Sequence, residues 1–315
     1  MKKIMNWSMV AVFIAVLGSI IGCAQSSGGS SGGGEVTYSS RIESFGTFPQ
    51  SEKASTVTID ESNYEDKGGL RYYAGSDGEK YAKVIVEGED KYYKVEPIQW
   101  RVLTTNYKGT GKALLLAEKI LINCNYYDSE NNRTIGGSTI YPNNYKESRV
   151  RAYLNGLSYT NDSGTDSSFL NTGFLQTAFT SAEQSQIVTT NVDNSAASTT
   201  DATNTLTPAT SYVCADTDDK IFLLSEKEAT SYGFPLYNQA GVGNVRIRFA
   251  TAFAKAKGSN QRSEPGYGGW WWLRTPAYND RRNACDVITD GDVSHNNLAW
   301  ITSGAVVPAL TKTLQ

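Results

Sequence analysis

The run Trp270-Trp271-Trp272-Leu273 leaves this chain little freedom in how it folds. Three consecutive indoles carry more apolar area than a solvated loop holds, so the segment belongs in a core. In a strand, successive side chains face opposite sides, so Trp271 would face away from Trp270 and Trp272. That geometry reads as support rather than as a stacking platform for sugars or bases. A second apolar run, Ala305-Val306-Val307-Pro308-Ala309-Leu310, follows close to the C-terminus. Between the two lies a stretch rich in Tyr, Asn, Asp and Arg, the residue types that binding surfaces favour.

The other end of the chain reads as an export signal. Lys2 and Lys3 supply positive charge, and residues 9–21 supply an apolar core too short to span a bilayer. Ile20-Ile21-Gly22-Cys23 then resembles the lipobox of bacterial lipoproteins, which makes Cys23 the expected lipidation site. Residues 1–22 are the expected signal peptide. Residues 23–35 are the lipidated cysteine and a Ser/Gly tether, with an end-to-end distance on the order of 20 Å. Several acyl chains, each contributing roughly 0.8 kcal/mol per buried CH₂, would anchor the protein stably in a membrane. Localisation at the outer membrane or cell surface is expected.

Residues 36–315 are long enough for one domain with a substantial core. The net charge is −3, which argues against a nucleic-acid partner, since such binding rests on a basic surface. Apart from Cys23, the cysteines are Cys124, Cys214 and Cys285. Their spacing matches no zinc motif and no CxxC, so no metal site and no cofactor are expected. A Cys124–Cys214 disulfide and three separate thiols both remain open.

Along the chain, residues 42–50 read as a strand. Residues 81–86 and 92–95 read as a hairpin with Glu89-Asp90 between its strands, and 97–103 and 112–122 as further strands. Ser148 caps a helix to Asn155, with Val150, Tyr153 and Leu154 on one face. Helical spacing runs through 169–187, with a capping pattern at Ser181-Ala182-Glu183-Gln184. Residues 191–210 are poor in apolar bulk and read as a surface loop. Residues 220–224 form a buried strand, Ser225 starts a short helix, and 245–257 lean towards helix. Short strands with few helices and no regular alternation predict an α+β class.

An ordered set of motifs sharpens this: FGTFPQ at 45–50, IQWRVL at 98–103, LLLAEKI at 114–120, SRVRAYLN at 148–155, IFLLSEKEA at 221–229, WLRTP at 272–276 and GAVVPAL at 304–310. The set resembles a bacterial family of exported domains with the C-type-lectin-like fold, in the variant shared with formylglycine-generating enzymes. Within that family the chain is most similar to the variable lipoproteins of treponemes, targets of a diversity-generating retroelement. The resemblance implies a C-terminal cassette, about residues 277–300, rewritten by adenine-directed mutagenesis and displayed as a ligand-binding face. From AAY codons such mutagenesis reaches many residue types but not Lys, Glu, Gln, Met or Trp. None of these five occurs between Ala277 and Ala299. Trp300 would need another template codon or belong to the frame. Gly304-Ala305-Val306-Val307 departs from the family's usual Gly-Val-Arg, a change that suits a buried strand.

The resemblance assigns ligand contact to Tyr278, Asn279, Asp280, Arg281, Arg282, Asn283, Cys285, His295, Asn296, Asn297, Ala299 and Trp300. The expected ligand is a protein or another macromolecule, and the expected state is a monomer. Asp286, Asp290 and Asp292 are calcium-ligand types, but Asp290-Gly291 is also a hairpin signal, and the turn reading is preferred. His295 is the only histidine, so any Ser-His-Asp or Cys-His mechanism would depend on a residue inside the varied stretch. No catalytic residue is expected. The alternatives are an oxidase resembling the formylglycine-generating type, which needs reactive thiols that bind copper together, and a structural envelope lipoprotein.

Overall fold

The computed structural model describes residues 37–314. The expected signal peptide, Cys23 and the tether lie outside them. No helix among the described residues is long and apolar enough to cross a membrane.

The strand Glu89–Thr104, 16 residues long, organises an eight-stranded sheet. Ile98, Trp100 and Val102 are buried while Gln99 is exposed, the period-two signature of a strand with one face on a core. Ile42–Glu52 pairs along one side of it. On the other side Lys80–Val86 pairs with its first half and Ala113–Ala117 with its second. Leu70–Gly75 and Ile59–Lys67 extend one edge, and Ala309–Lys312 and Ile221–Phe222 the other. Every pairing in this sheet is antiparallel. Ala113–Ala117 is buried at every position, which explains why its sequence is a continuous apolar run rather than an alternation. The last strand, Ala309–Lys312, lies between it and Ile221–Phe222, so the C-terminal segment closes the interior of the sheet.

The predicted hairpin is present, but it turns at Glu87-Gly88, with φ of 52° and 83°. Two successive left-handed residues match the twist of the flanking strands. Glu89 and Asp90 are already paired with Val86 and Ile85. Helix Arg149–Asn155 starts as predicted, with Ser148 Oγ accepting from the Arg151 N–H at 3.1 Å. Its Asn155 side chain donates to Ile221 O at 2.7 Å and accepts from Ile221 N at 3.0 Å, which covers the sheet edge. The helical stretch after residue 169 is two short helices, Phe174–Ala178 and Ser181–Gln186, separated by extended Phe179. The capping box there belongs to Thr180 and Glu183, one residue earlier than the pattern predicted.

Two expectations need correction. Residues 191–210 are not a solvated loop: Asn194, Ser198, Thr199, Thr200 and Asp201 are buried. Their side chains satisfy nearby backbone, as where Asp201 accepts from Thr205 N at 2.7 Å and Thr199 Oγ1 accepts from Ala209 N at 2.8 Å. Polar composition therefore did not mean exposure. Between 245 and 257 only Ala252–Ala256 is helical, and Phe249 is exposed in a short parallel pairing with Lys119. The backbone before it runs through turns at 242–243 and 245–246, which Arg246 and Arg248 tie down by donating to main-chain carbonyls.

The tryptophan run enters a second, three-stranded sheet, Trp271–Pro276, Asn283–Val287 and Val293–Leu298. Trp271 and Trp272 are fully buried, and the Trp270 and Trp272 rings meet edge to face at 4.8 Å. Both inner indoles donate to backbone, Trp271 to Arg246 O and Trp272 to Cys124 O, each at 3.2 Å. The expected packing role of this block is what the structure shows. Cys124, Cys214 and Cys285 are all free thiols. Strands predominate and helices are few and short, a mixed α+β architecture.

Arg274, on the strand that the tryptophans open, is buried and forks onto the Glu228 carboxylate, with Nη2 3.2 Å from Oε1. It also donates to Leu223 O at 2.8 Å and to Asp193 O at 3.1 Å, while the Tyr107 hydroxyl donates to Glu228. Burial alone would raise the Glu228 carboxyl pKa. The charge and hydrogen bonds of Arg274, with the Tyr107 hydroxyl, outweigh it and hold it below its ordinary value of 4.5. In the unfolded chain the carboxyl titrates normally, so the pair stabilises the fold above that pH and ceases to as pH falls through the lower folded value. Arg274→Met leaves a buried carboxylate unpaired and is expected to cost about 3–5 kcal/mol in a denaturant titration. In Glu228→Gln, the further loss of stability between about pH 5 and pH 3 should be smaller than in the parent. Equal acid slopes in melting experiments would show that the pair does not hold this proton balance.

Candidate functional site

The three-stranded sheet and the loop that precedes its central strand carry nearly all of the residues expected to contact ligand. Asp290 and Gly291 occupy the turn between the second and third strands, with Gly291 at φ 87° and its N–H donating to Ile288 O at 2.9 Å. Buried Arg246 donates to Gly291 O at 2.6 Å and fixes that turn from beneath. Asp286, Asp290 and Asp292 do not gather into a cation cage among the described residues. Asp286 instead lies fully buried in the sheet, where burial pushes its carboxyl up to about 8 against the hydrogen bonds from Asn297 and Ser294.

Register explains how the site's side chains come together. Ala284 pairs with Asn297 and Asp286 with Ser294, so Cys285 alone stands opposite both His295 and Asn296. This is a β-bulge, one residue facing two, which bends a strand and re-aims its side chains. His295 and Cys285 are thereby brought together, although ten positions separate their numbers.

The loop 277–282 is held by its backbone. Buried Asn143 donates to Asp280 O at 3.1 Å and to Asn283 O at 3.0 Å. Ala277 N donates to Asn283 O, and Ala299 N to Arg282 O, each at 2.9 Å. The side chains are largely exposed. Tyr278 is 46% exposed, and Asn279, Arg281, Arg282 and Asn296 are exposed with it. Asp280 is half-buried, and the fork of Arg282 onto it, with Nη2 to Oδ2 at 2.8 Å, holds its carboxyl below the usual range. Arg281 Nε donates to Asn132 Oδ1 at 3.0 Å. The Tyr278 ring meets the edge of His295 at 5.7 Å, and Tyr237 packs on the same imidazole at 5.6 Å. Leu298 adds an exposed apolar contact.

Five of the expected contact residues sit differently. Cys285 and Ala299 are fully buried beneath the face and offer it no side chain. Cys285 occupies the central strand and points towards Pro276 O at 3.7 Å, while Ala299 has both backbone groups bonded, to Arg282 and Tyr127. Asn297 is half-buried and donates to Asp286, and Trp300 leans on the core. Asn283 is half-buried at the start of its strand.

Under the face, His295 Nε2 lies 3.0 Å from Glu226 Oε1. In the sequence Glu226 is only part of the short helix that Ser225 starts, and its burial has no local signal. Asn143 and Tyr237 were missed for the same reason, since only tertiary packing delivers them. Burial drives the Cys285 thiol well above its ordinary range, and the charges of Glu226 and Asp286 add to the shift. A thiol held protonated beside an imidazole is a poor nucleophile.

Residues 110–311 match the family model of DUF6273, a domain of unknown function. The chain belongs to this family. The DUF6273 span opens just before the Ala113–Ala117 strand and closes within Ala309–Lys312, so it encloses the three-stranded sheet and its loop. The five strands from Ile42 to Thr104 lie before it. No curated protein matches the chain, and no solved structure does.

The division between bonded backbone and released side chains can be measured. Asn143→Ala removes two buried donations to loop carbonyls and is expected to cost about 1–3 kcal/mol. Amide exchange across 277–283 should accelerate with it. Tyr278→Ala and Arg282→Ala are expected to stay within about 0.5 kcal/mol of the parent. If the two surface variants lose as much stability as Asn143→Ala, these side chains are part of the frame.

Proposed function

We propose that this protein is a lipid-anchored, surface-displayed binding protein whose C-terminal face is a diversified ligand site on a C-type-lectin-like frame. The observation that carries the reading is the separation at 277–283. The loop is fixed through carbonyls and amides, which any residue supplies, while the side chains of Tyr278, Asn279, Arg281 and Arg282 point outward. A stretch built this way accepts rewriting without loss of its support. The exposed set is also the right chemistry for recognition. Tyr gives rigid amphipathic area, Arg a planar array of donors, and Asn adaptable hydrogen bonds. The ligand would be a protein or another macromolecule, bound by side-chain contact. Cys285 and Ala299 take a different part in this reading, because substitutions there meet packing and not ligand.

The oxidase-like alternative calls for two thiols sharing copper. The group gathered at Cys285 supplies a carboxylate and an imidazole instead, which favours the binding reading.

The decisive comparison is genetic. A near-copy of the stretch encoding 277–300 is expected close to the gene, differing from it only at adenines of the template, beside a reverse-transcriptase gene. Absence of both from the source genome would remove the diversification reading. At the protein level, exchanging Tyr278, Asn279, Arg281 and Arg282 for the residues of another natural cassette should change which surface proteins the chain captures. Its melting temperature should stay nearly unaltered.

A further inference from the structure

Glu226, Cys285 and His295 converge from three separate elements. Glu226 begins the helix Glu226–Ala229, Cys285 lies in the central strand of the three-stranded sheet, and His295 stands on the bulge beside it. Their ligating atoms all lie within 4.8 Å of one another. Glu226 is 1% exposed, and among the described residues its two oxygens receive only His295 Nε2, at 3.0 and 3.1 Å. A buried carboxylate normally gathers several donors, because leaving its lone pairs bare is costly. Here one imidazole nitrogen serves both oxygens, and the third neighbour is a thiol whose own contact, to Pro276 O, is 3.7 Å long.

We infer that this cluster is a binding site for a borderline-soft divalent ion of the zinc class, held by Glu226, Cys285 and His295. Thiolate, imidazole and carboxylate are the three ligand types that zinc accepts at tetrahedral centres. Two such ligands on one tetrahedral ion lie about 3.3 Å apart for nitrogen and oxygen, and about 3.6 Å for sulfur and nitrogen. The observed His295–Glu226 separation is already near the first value, and a small approach of Cys285 supplies the second. Binding replaces the thiol S–H bond with a sulfur–metal bond, and the proton leaves to solvent. His295 is the member that reaches solvent, so an ion enters past its ring. The Tyr237 and Tyr278 rings pack on that imidazole and limit how it turns. The inference does not rest on diversification of the face. It depends only on these three side chains as they stand in this chain, and because Cys285 and His295 lie within 277–300, a rewritten cassette that replaces either one loses the site.

The probe is Co²⁺ added to the full chain under a reductant that does not bind metal. One ion per chain is expected, with a thiolate-to-cobalt charge-transfer band and the visible bands of a four-coordinate centre, both bleached by Zn²⁺. Cys285→Ser should abolish the charge-transfer band, while Cys124→Ser and Cys214→Ser keep it. His295→Ala removes a side chain that is 12% exposed, and a thermal melt establishes that the variant is folded before Co²⁺ is added. It should weaken Co²⁺ binding by more than the roughly 10–100-fold that loss of an outer-shell partner costs. Glu226→Gln should weaken it likewise. No charge-transfer band in the parent, or a band that survives in both Cys285→Ser and His295→Ala, overturns the assignment. So does a band lost in Cys124→Ser or Cys214→Ser instead. In those cases His295 and Glu226 are a structural pair.

Discussion

Arg274 and Glu228 meet where neither has water to fall back on. The guanidinium and carboxylate hold each other, and their remaining valences go to Leu223 O, Asp193 O and the Tyr107 hydroxyl. Four segments distant in sequence are thereby fixed at one point: the strand of the tryptophans, the helix after Phe222, the polar stretch near 193 and the connection at 107. A hydrophobic contact would tolerate sliding among these. A forked charge pair in low dielectric does not, because displacement strands a charge. The three-stranded sheet that carries the face hangs from this junction through Arg274. Arg246 fixes the far end of the same sheet with bonds to Gly291 and to the 229–236 segment.

Local chemistry was legible in the sequence, and tertiary chemistry was not. The strand at 98–103, the cap at Ser148, the helix start at Ser225 and the burial of the indoles each follow from residues within a few positions. Glu89-Asp90 reads as connection by composition but is paired strand, because the left-handed φ that the hairpin needs is supplied at Glu87-Gly88. The 191–210 stretch was misread for a deeper reason. Ser, Thr and Asn there satisfy their own backbone, which lets polar sequence enter a core without apolar bulk. At the face, exposure of Tyr278, Arg281 and Arg282 was foreseen. The burial of Cys285 and Ala299 was not: the central strand is covered on both faces, so Ala284 to Val287 are buried without alternation, and only tertiary packing buries Ala299.

The same bulge couples frame to face. One extra residue in the strand Val293–Leu298 sets His295 beside Cys285 and over Glu226, and leaves Asn296 exposed. Frame and face therefore differ not by region but by which atoms are engaged. Main-chain groups at Ala277 and from Asp280 to Asn283 belong to the frame, and side chains belong to it only where they turn inward.

The position of the strand Ala309–Lys312 has one more consequence. It is translated after the whole face, yet it fills the interior of the large sheet between Ala113–Ala117 and Ile221–Phe222. A shift of reading frame anywhere in 277–300 replaces it with unrelated sequence and parts the edge strand Ile221–Phe222 from the rest of the sheet. Folding thus proofreads the segment upstream: only chains whose preceding codons were read in register acquire a closed core.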